Sequence, residues 1–177
     1  MSDDARRHLI LVGLMAVGKT TVGALCAQRL GRAFVDTDDL VELLSGRQVQ
    51  ELFVGGEPEF RSVERAAVAD ACASPAPLVI ACGGGAVIDP DNRALLRRSG
   101  VVVWLCADSD TLAARVAADG RSRPLLAGGA PSVTLAALAD ARDATYRAVA
   151  DTTVDANDRS PAAVADAVLE EYARCAA

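Results

Sequence analysis

The chain has 177 residues, close to the ~150 of a typical domain, so a single domain spanning 1–177 is expected. Eighteen Lys and Arg against 24 Asp and Glu leave a net charge of −6, which excludes nucleic acid as the main partner, since tracking phosphates needs a basic stripe. No apolar run approaches the ~20 residues that cross a bilayer, and the opening MSDDARRHLILVG reads as neither a secretory signal nor a transit peptide. Cys26, Cys72, Cys82, Cys106 and Cys175 are scattered and never form a Cys-x-x-Cys pair, and His8 is the sole histidine. Neither a disulfide framework nor a zinc site is expected; the thiols read as small core hydrophobes of a cytoplasmic protein. No stretch reads as an exposed apolar interface, so a monomer is expected.

Along the chain, short apolar runs alternate with longer stretches of helical period, the pattern of an α/β fold with a parallel sheet. The first strand is expected over 8–12 (HLILV), with His8 at its mouth as a surface or strand-edge residue. GLMAVGKTT follows and matches G-x-x-x-x-G-K-[ST] with Gly13, Gly18, Lys19 and Thr20, between that strand and a helix over 19–30. Backbone N–H groups of such a loop, with the helix N-terminus behind them, face the β-phosphate of a nucleoside triphosphate. The lysine adds a point charge, and Thr20 is placed to coordinate Mg²⁺. Lys19 is the only lysine in the chain, every other basic side chain being arginine or His8.

A strand over 33–36 ends in FVDTDD. Asp36 and Asp38, one residue apart at the carboxyl edge of a parallel strand, sit where such folds bind ligands. Asp36 suits a metal-bound water and Asp38 the proton of a substrate hydroxyl. Thr37, Asp38 and Asp39 also suit the cap of a helix over 38–45, a reading preferred for Asp39 but not for Asp38. Within GGEPEFRSVE, at the start of a helix over 57–73, Glu57 and Arg61 are four apart, as in an exposed ion pair of about 0.2–0.5 kcal/mol. A buried strand over 78–82 then runs into Gly83, Gly84 and Gly85, a triplet that suits close approach of backbone to a ligand.

Next come a helix over 91–99 and a strand over 101–106, whose Trp104 reads as a buried indole. A helix over 109–118 leads into DGRSRPLLAGGA (119–130), the candidate mobile lid, which carries Arg123. A helix over 133–150 holds Arg142, and a strand over 152–156 and a helix over 161–175 complete the chain. Arginines from separate segments suit a carboxylate or phosphate, because the guanidinium fork binds such anions bidentately; each taken alone reads as a surface charge.

In order, GLMAVGKTTVG, FVDTDDLVE, GEPEFR, GGGAV, RPLLAG, R-x-x-x-Y and VDANDRSP resemble shikimate kinase from Leu9 to about Val168. The resemblance implies a P-loop kinase fold, with a three-layer architecture, a central five-stranded parallel sheet and an ATP lid. It implies transfer of the γ-phosphoryl group of ATP to the 3-hydroxyl of shikimate, with Mg²⁺. Carried over by residue, Gly13, Ala16, Val17, Gly18, Lys19, Thr20 and Thr21 would meet the triphosphate. Thr20 and Asp36 would serve the metal. Asp38 would be the base and a substrate contact. Arg61 and Arg142 would grip the carboxylate, and Gly83, Gly84 and Gly85 would offer N–H groups to the substrate. Arg123 would arrive with the lid to stabilise the transferred group, while Arg115, Arg159 and Pro161 would flank the adenine.

Three positions depart from the family pattern, one being Thr145, before the tyrosine of ARDATYRAVA, where a bulkier apolar residue is common. Ala16 replaces a frequent glycine and needs either a negative φ or a small strain. Cys82 precedes the glycines and invites oxidation if exposed. Two other readings compete with this one: a different small-molecule kinase, such as a gluconate kinase, and a nucleotide-binding regulatory domain without catalysis. The Asp36-x-Asp38 pair, together with Arg61, the glycine triplet and Arg142, favours shikimate over gluconate. Intact Lys19, Thr20, Asp36, Asp38 and Arg123 favour an enzyme.

Overall fold

A computed structural model describes residues 8–119, 124–126 and 129–177. Five parallel strands form one sheet in the order β2-β3-β1-β4-β5. They are β1 (His8–Val12), β2 (Phe34–Asp36), β3 (Val79–Ala81), β4 (Gly100–Cys106) and β5 (Thr152–Asp155). Every residue of β1 and β3 is buried, because helices cover these inner strands on both faces, and their sequences HLILV and VIA are correspondingly apolar.

The helices are α1 (Lys19–Leu30), α2 (Thr37–Ser45), α3 (Val49–Gly55), α4 (Glu57–Cys72), α5 (Pro90–Ser99), α6 (Ser109–Asp119), α7 (Pro131–Val149) and α8 (Pro161–Cys175). One layer contains α1 and α8, packed on each other and on the sheet; the other contains α4, α5 and α7. This is the expected three-layer α/β architecture. Pro at the first helical position opens α5, α7 and α8, where its missing N–H removes nothing from the helix. The neighbours of β1 are β3 on one side and β4 on the other, so the loop after β1 opens at the crevice where strand order reverses.

Several expectations are corrected. α3 has no counterpart among the expected helices; its seven residues are held by contacts outside themselves. The amide of Val49 donates to Glu42 Oε1 (3.1 Å), Phe53 stacks on Phe60 with ring centroids 4.2 Å apart, and Leu52 is buried. His8 is not at the surface. It is 3% exposed, and its Nδ1 accepts the Leu78 N–H (3.0 Å), with burial lowering the ring's pKa and favouring the neutral form. Trp104 is only half-buried; it stacks on Tyr146 (5.7 Å, 17°), and the Arg147 guanidinium lies 5.8 Å from its ring.

Cys26 is a core residue as expected and Cys82, beside the glycine triplet, is buried too, whereas Cys72, Cys106 and Cys175 are half-buried, and all five are free. The lid expected over 119–130 lies partly outside the described residues, within which a 3₁₀ turn, Pro124–Leu126, is seen. Among the described residues no helix is long and apolar enough to cross a membrane.

Candidate active site

The loop between β1 and α1 is built to receive an anion. Gly18 caps α1 at φ +104°, a conformation open to glycine, without a side-chain cap, and the first turn carries no acidic residue. No acidic residue of α1's own first turn therefore offsets its N–H groups and positive dipole end. Lys19 folds back over the loop, its Nζ donating to the Gly13 and Leu14 carbonyls, both at 2.8 Å. Ala16 takes the strained option, with φ +63°, a conformation that costs an L-residue about 1–2 kcal/mol.

At the end of β2, Asp36 binds in two directions. Its Oδ2 accepts the Thr20 hydroxyl (2.7 Å) and its Oδ1 accepts the Asp38 amide (3.0 Å). Asp36 is thus the N-cap of α2, rather than Thr37, Asp38 or Asp39. Thr37 is fully buried, and its hydroxyl accepts the Gly83 N–H (2.9 Å). Released from capping, Asp38 turns inward. Burial, reinforced by the negative charge of Asp36 and opposed by Lys19, raises its carboxyl from 3.8 to about 6.

The glycine triplet provides space more than donors. A Cβ on Gly83 would lie 2.5 Å from Asp38 Oδ1, and one on Gly85 would lie 2.5 Å from Arg61 Nη1. The expectation of three free N–H groups is corrected at Gly83, whose amide is taken by Thr37. Gly84 contributes its carbonyl, which accepts Arg142 Nη1 (3.0 Å) and the Tyr146 hydroxyl (2.5 Å).

Arg61 pairs with more than its expected partner. Nη2 lies 3.1 Å from Glu57 Oε1, and Nη1 lies 2.7 Å from Glu64 Oε2. Glu64 is 1% exposed, and burial raises its carboxyl while Arg61 and then Arg142 oppose the rise. Such a buried carboxylate holds its arginine in one orientation, because separating them would leave a buried charge unpaired. Arg142, expected as a clamp, is buried at 8% exposure.

Asp38, Arg61, Glu64, the glycine triplet and Arg142 line one cavity of about 350 Å³, with Phe53 and Phe60 among its apolar lining. The arrangement can hold an anionic group against the guanidinium side and place a hydroxyl at Asp38, near the phosphate loop. Sequence reading assigned no role to Glu64 or to Tyr146 and gave Thr37 only a capping one. The first two carried a signal, standing three residues after Arg61 and four after Arg142, where helical side chains meet.

The remaining expected residues are spread around this centre. Arg115 Nη1 donates to the Val17 carbonyl (3.1 Å) and Nη2 to the Ala156 carbonyl (2.7 Å). Arg159 is exposed and donates to the Asp155 carbonyl (3.3 Å), and Pro161 is the first residue of α8. Thr21 lies in the first turn of α1 and is exposed. Arg123 lies outside the described residues. Cys82 is buried and its thiol pKa is pushed up by desolvation, so the oxidation that exposure would invite has no purchase there.

Oxygen donors from Thr20 and Asp36, 2.7 Å apart beside the phosphate loop, fit a hard cation such as Mg²⁺. That ion is usually held by one or two protein oxygens together with substrate phosphates.

A family model described as "Shikimate kinase" matches residues 15–173. A shikimate kinase of Symbiobacterium thermophilum is 46% identical over 166 residues, covering 93% of this chain and 95% of the relative. The structure of a shikimate kinase from Acinetobacter baumannii in complex with shikimate superposes with a TM-score of 0.91 at 34% identity, covering 97% and 96% of the two chains. A gluconokinase from Sinorhizobium meliloti superposes less closely, with a TM-score of 0.65 at 24% identity over 97% and 95% of the chains, a likeness of fold alone.

Proposed function

The chain belongs to the shikimate kinase family, and from that membership we propose that it catalyses ATP-dependent phosphorylation of shikimate. The products are shikimate 3-phosphate and ADP, and the reaction is a step of aromatic amino acid biosynthesis. The observation that carries the reading is the single cavity in which Asp38 faces Arg61 and Arg142 beside the phosphate loop.

Phosphoryl transfer asks a protein mainly to position reactants and stabilise charge. Lys19 and the N–H groups of the loop bind the triphosphate. Thr20 and Asp36 would hold Mg²⁺, which would supply positive charge against the phosphates. Arg61 and Arg142 take the shikimate carboxylate, which orients the ring so that its 3-hydroxyl faces Asp38. Asp38, ionised above about pH 6, accepts the hydroxyl proton as the oxygen attacks the γ-phosphorus. Gly84 and Gly85 back the ring, and Gly83 keeps room for the base. Arg115, Arg159 and Pro161 flank the adenine. Arg123 stabilises the transferred group, and the lid of 119–130 keeps water from it. The protein works as a cytoplasmic monomer with one catalytic domain over 1–177.

Initial-rate ADP release from Mg·ATP tests the reading, with shikimate and gluconate as alternative acceptors. Shikimate-dependent release is expected. Release with gluconate alone would retain a kinase and overturn the carboxylate clamp, and silence with both would overturn the enzyme reading.

A further inference from the structure

The phosphate loop and the turn after β5 are joined by one side chain from α6. Arg115 is half-buried, and the two carbonyls it binds belong to Val17 and Ala156, which are 2% and 1% exposed. A buried carbonyl needs a partner, and a charged donor binds it more strongly than a neutral one. Because Nη1 and Nη2 both bond in the plane of the guanidinium, the plane itself is oriented.

A trans peptide is planar, so its C=O and the following N–H point in opposite directions, and the described chain contains no cis peptide bond. The rule is visible at the Ala156 end of the link. While Arg115 draws the Ala156 carbonyl one way, the Asn157 N–H points away and donates to Asp155 Oδ1 (2.9 Å). At the other end, the carbonyl drawn toward Arg115 is that of Val17, and the N–H turned away from it is that of Gly18. Gly18 has φ +104°, and as a glycine it is free to let this peptide rotate when nothing holds it.

We infer that Arg115 is a positioning residue for the phosphate loop: by holding the Val17 carbonyl it turns the Gly18 N–H toward the phosphates, independently of any contact with the base. The inference rests on the ATP-binding reading of the loop and deepens it. The same side chain ties the loop to the β5–α8 turn, so the phosphate and adenine ends of the site are set by one fork.

Inorganic tripolyphosphate separates the two roles, since it carries the phosphates without a base. Calorimetric titration of the full chain with tripolyphosphate, ATP and shikimate compares the wild type with Arg115→Ala and Arg115→Lys, and a ¹⁵N-glycine label reports the Gly18 amide. Arg115→Ala is expected to weaken tripolyphosphate about tenfold, the scale of one lost hydrogen bond to a charged group, and ATP at least as much. Shikimate affinity should be unchanged and the Gly18 resonance displaced, with Arg115→Lys falling between because an ammonium lacks the two-pronged fork.

Unchanged tripolyphosphate affinity alongside weakened ATP would leave Arg115 a contact of the base only and overturn the inference. An unmoved Gly18 resonance would overturn it as well. Equal losses for tripolyphosphate and shikimate would mark a general loosening and overturn it too. A wild type that binds neither ATP nor tripolyphosphate would overturn the ATP-binding reading itself.

Discussion

Asp38 is held where its charge is costly, and Asp38→Asn measures that cost. Burial and the neighbouring Asp36 raise its carboxyl from 3.8 to about 6. A carboxyl raised by that amount destabilises the folded chain at neutral pH by on the order of 2–3 kcal/mol, because each pKa unit is worth 1.36 kcal/mol. The sign follows from proton binding. The folded state holds the proton more tightly than the unfolded one, so the cost is absent below about 3.8, grows as pH rises and is complete above about 6. Asp38→Asn removes the charge at nearly constant shape. It should therefore be more stable than the wild type at pH 7, with an advantage that fades as the pH falls toward 4. Urea unfolding of both proteins at several pH values between 4 and 7.5 measures the difference. The same variant should lose kcat while still binding ATP, the trade between stability and activity expected of a strained catalytic group. An advantage independent of pH, or no advantage at pH 7, would show that the Asp38 carboxyl is not raised in the folded chain.

Other substitutions test the rest of the site. Gly85→Ala would place a methyl group 2.5 Å from Arg61 Nη1, so the shikimate KM should rise at least severalfold with the KM for ATP little changed, as read from initial rates. Arg142→Ala should raise the shikimate KM far more than that of ATP, and equal rises would show that the clamp is the wrong role for it. Tyr146→Phe removes one of the two donors to the Gly84 carbonyl and should cost about 1 kcal/mol of stability in urea unfolding. Lys19→Ala should abolish turnover, measured as ADP release, and near-normal activity would contradict the phosphate-loop assignment.

Legibility in the sequence followed how local each feature's cause was. β1 and α1 were readable to the residue because apolar continuity and the glycine-lysine loop are local signals. α3 was not readable, since VQELFVG is only seven residues long and is held by Glu42 and Phe60 of the helices on either side of it. The arginines of the site could be named, but their convergence depends on Glu64 and on the Gly84 carbonyl. The spacing of Glu64 from Arg61 was visible, while its burial is a consequence of packing around α4. The capping role of Asp36 was obscured because three following residues were chemically as suitable, and only the backbone conformation at Asp36 decides among them. The glycine triplet was recognised as a place of close approach, but not that side chains of this chain, Asp38 and Arg61, are what approach.

In the proposed reaction, one cavity presents a single hydroxyl of shikimate to Asp38 and the γ-phosphate. The most direct test is the regiochemistry of the product, read by ³¹P–¹H correlation after reaction with Mg·ATP. One phosphomonoester coupled to the ring proton at carbon 3 is predicted. Phosphate at another hydroxyl, a mixture of positions or unreacted shikimate would contradict the account.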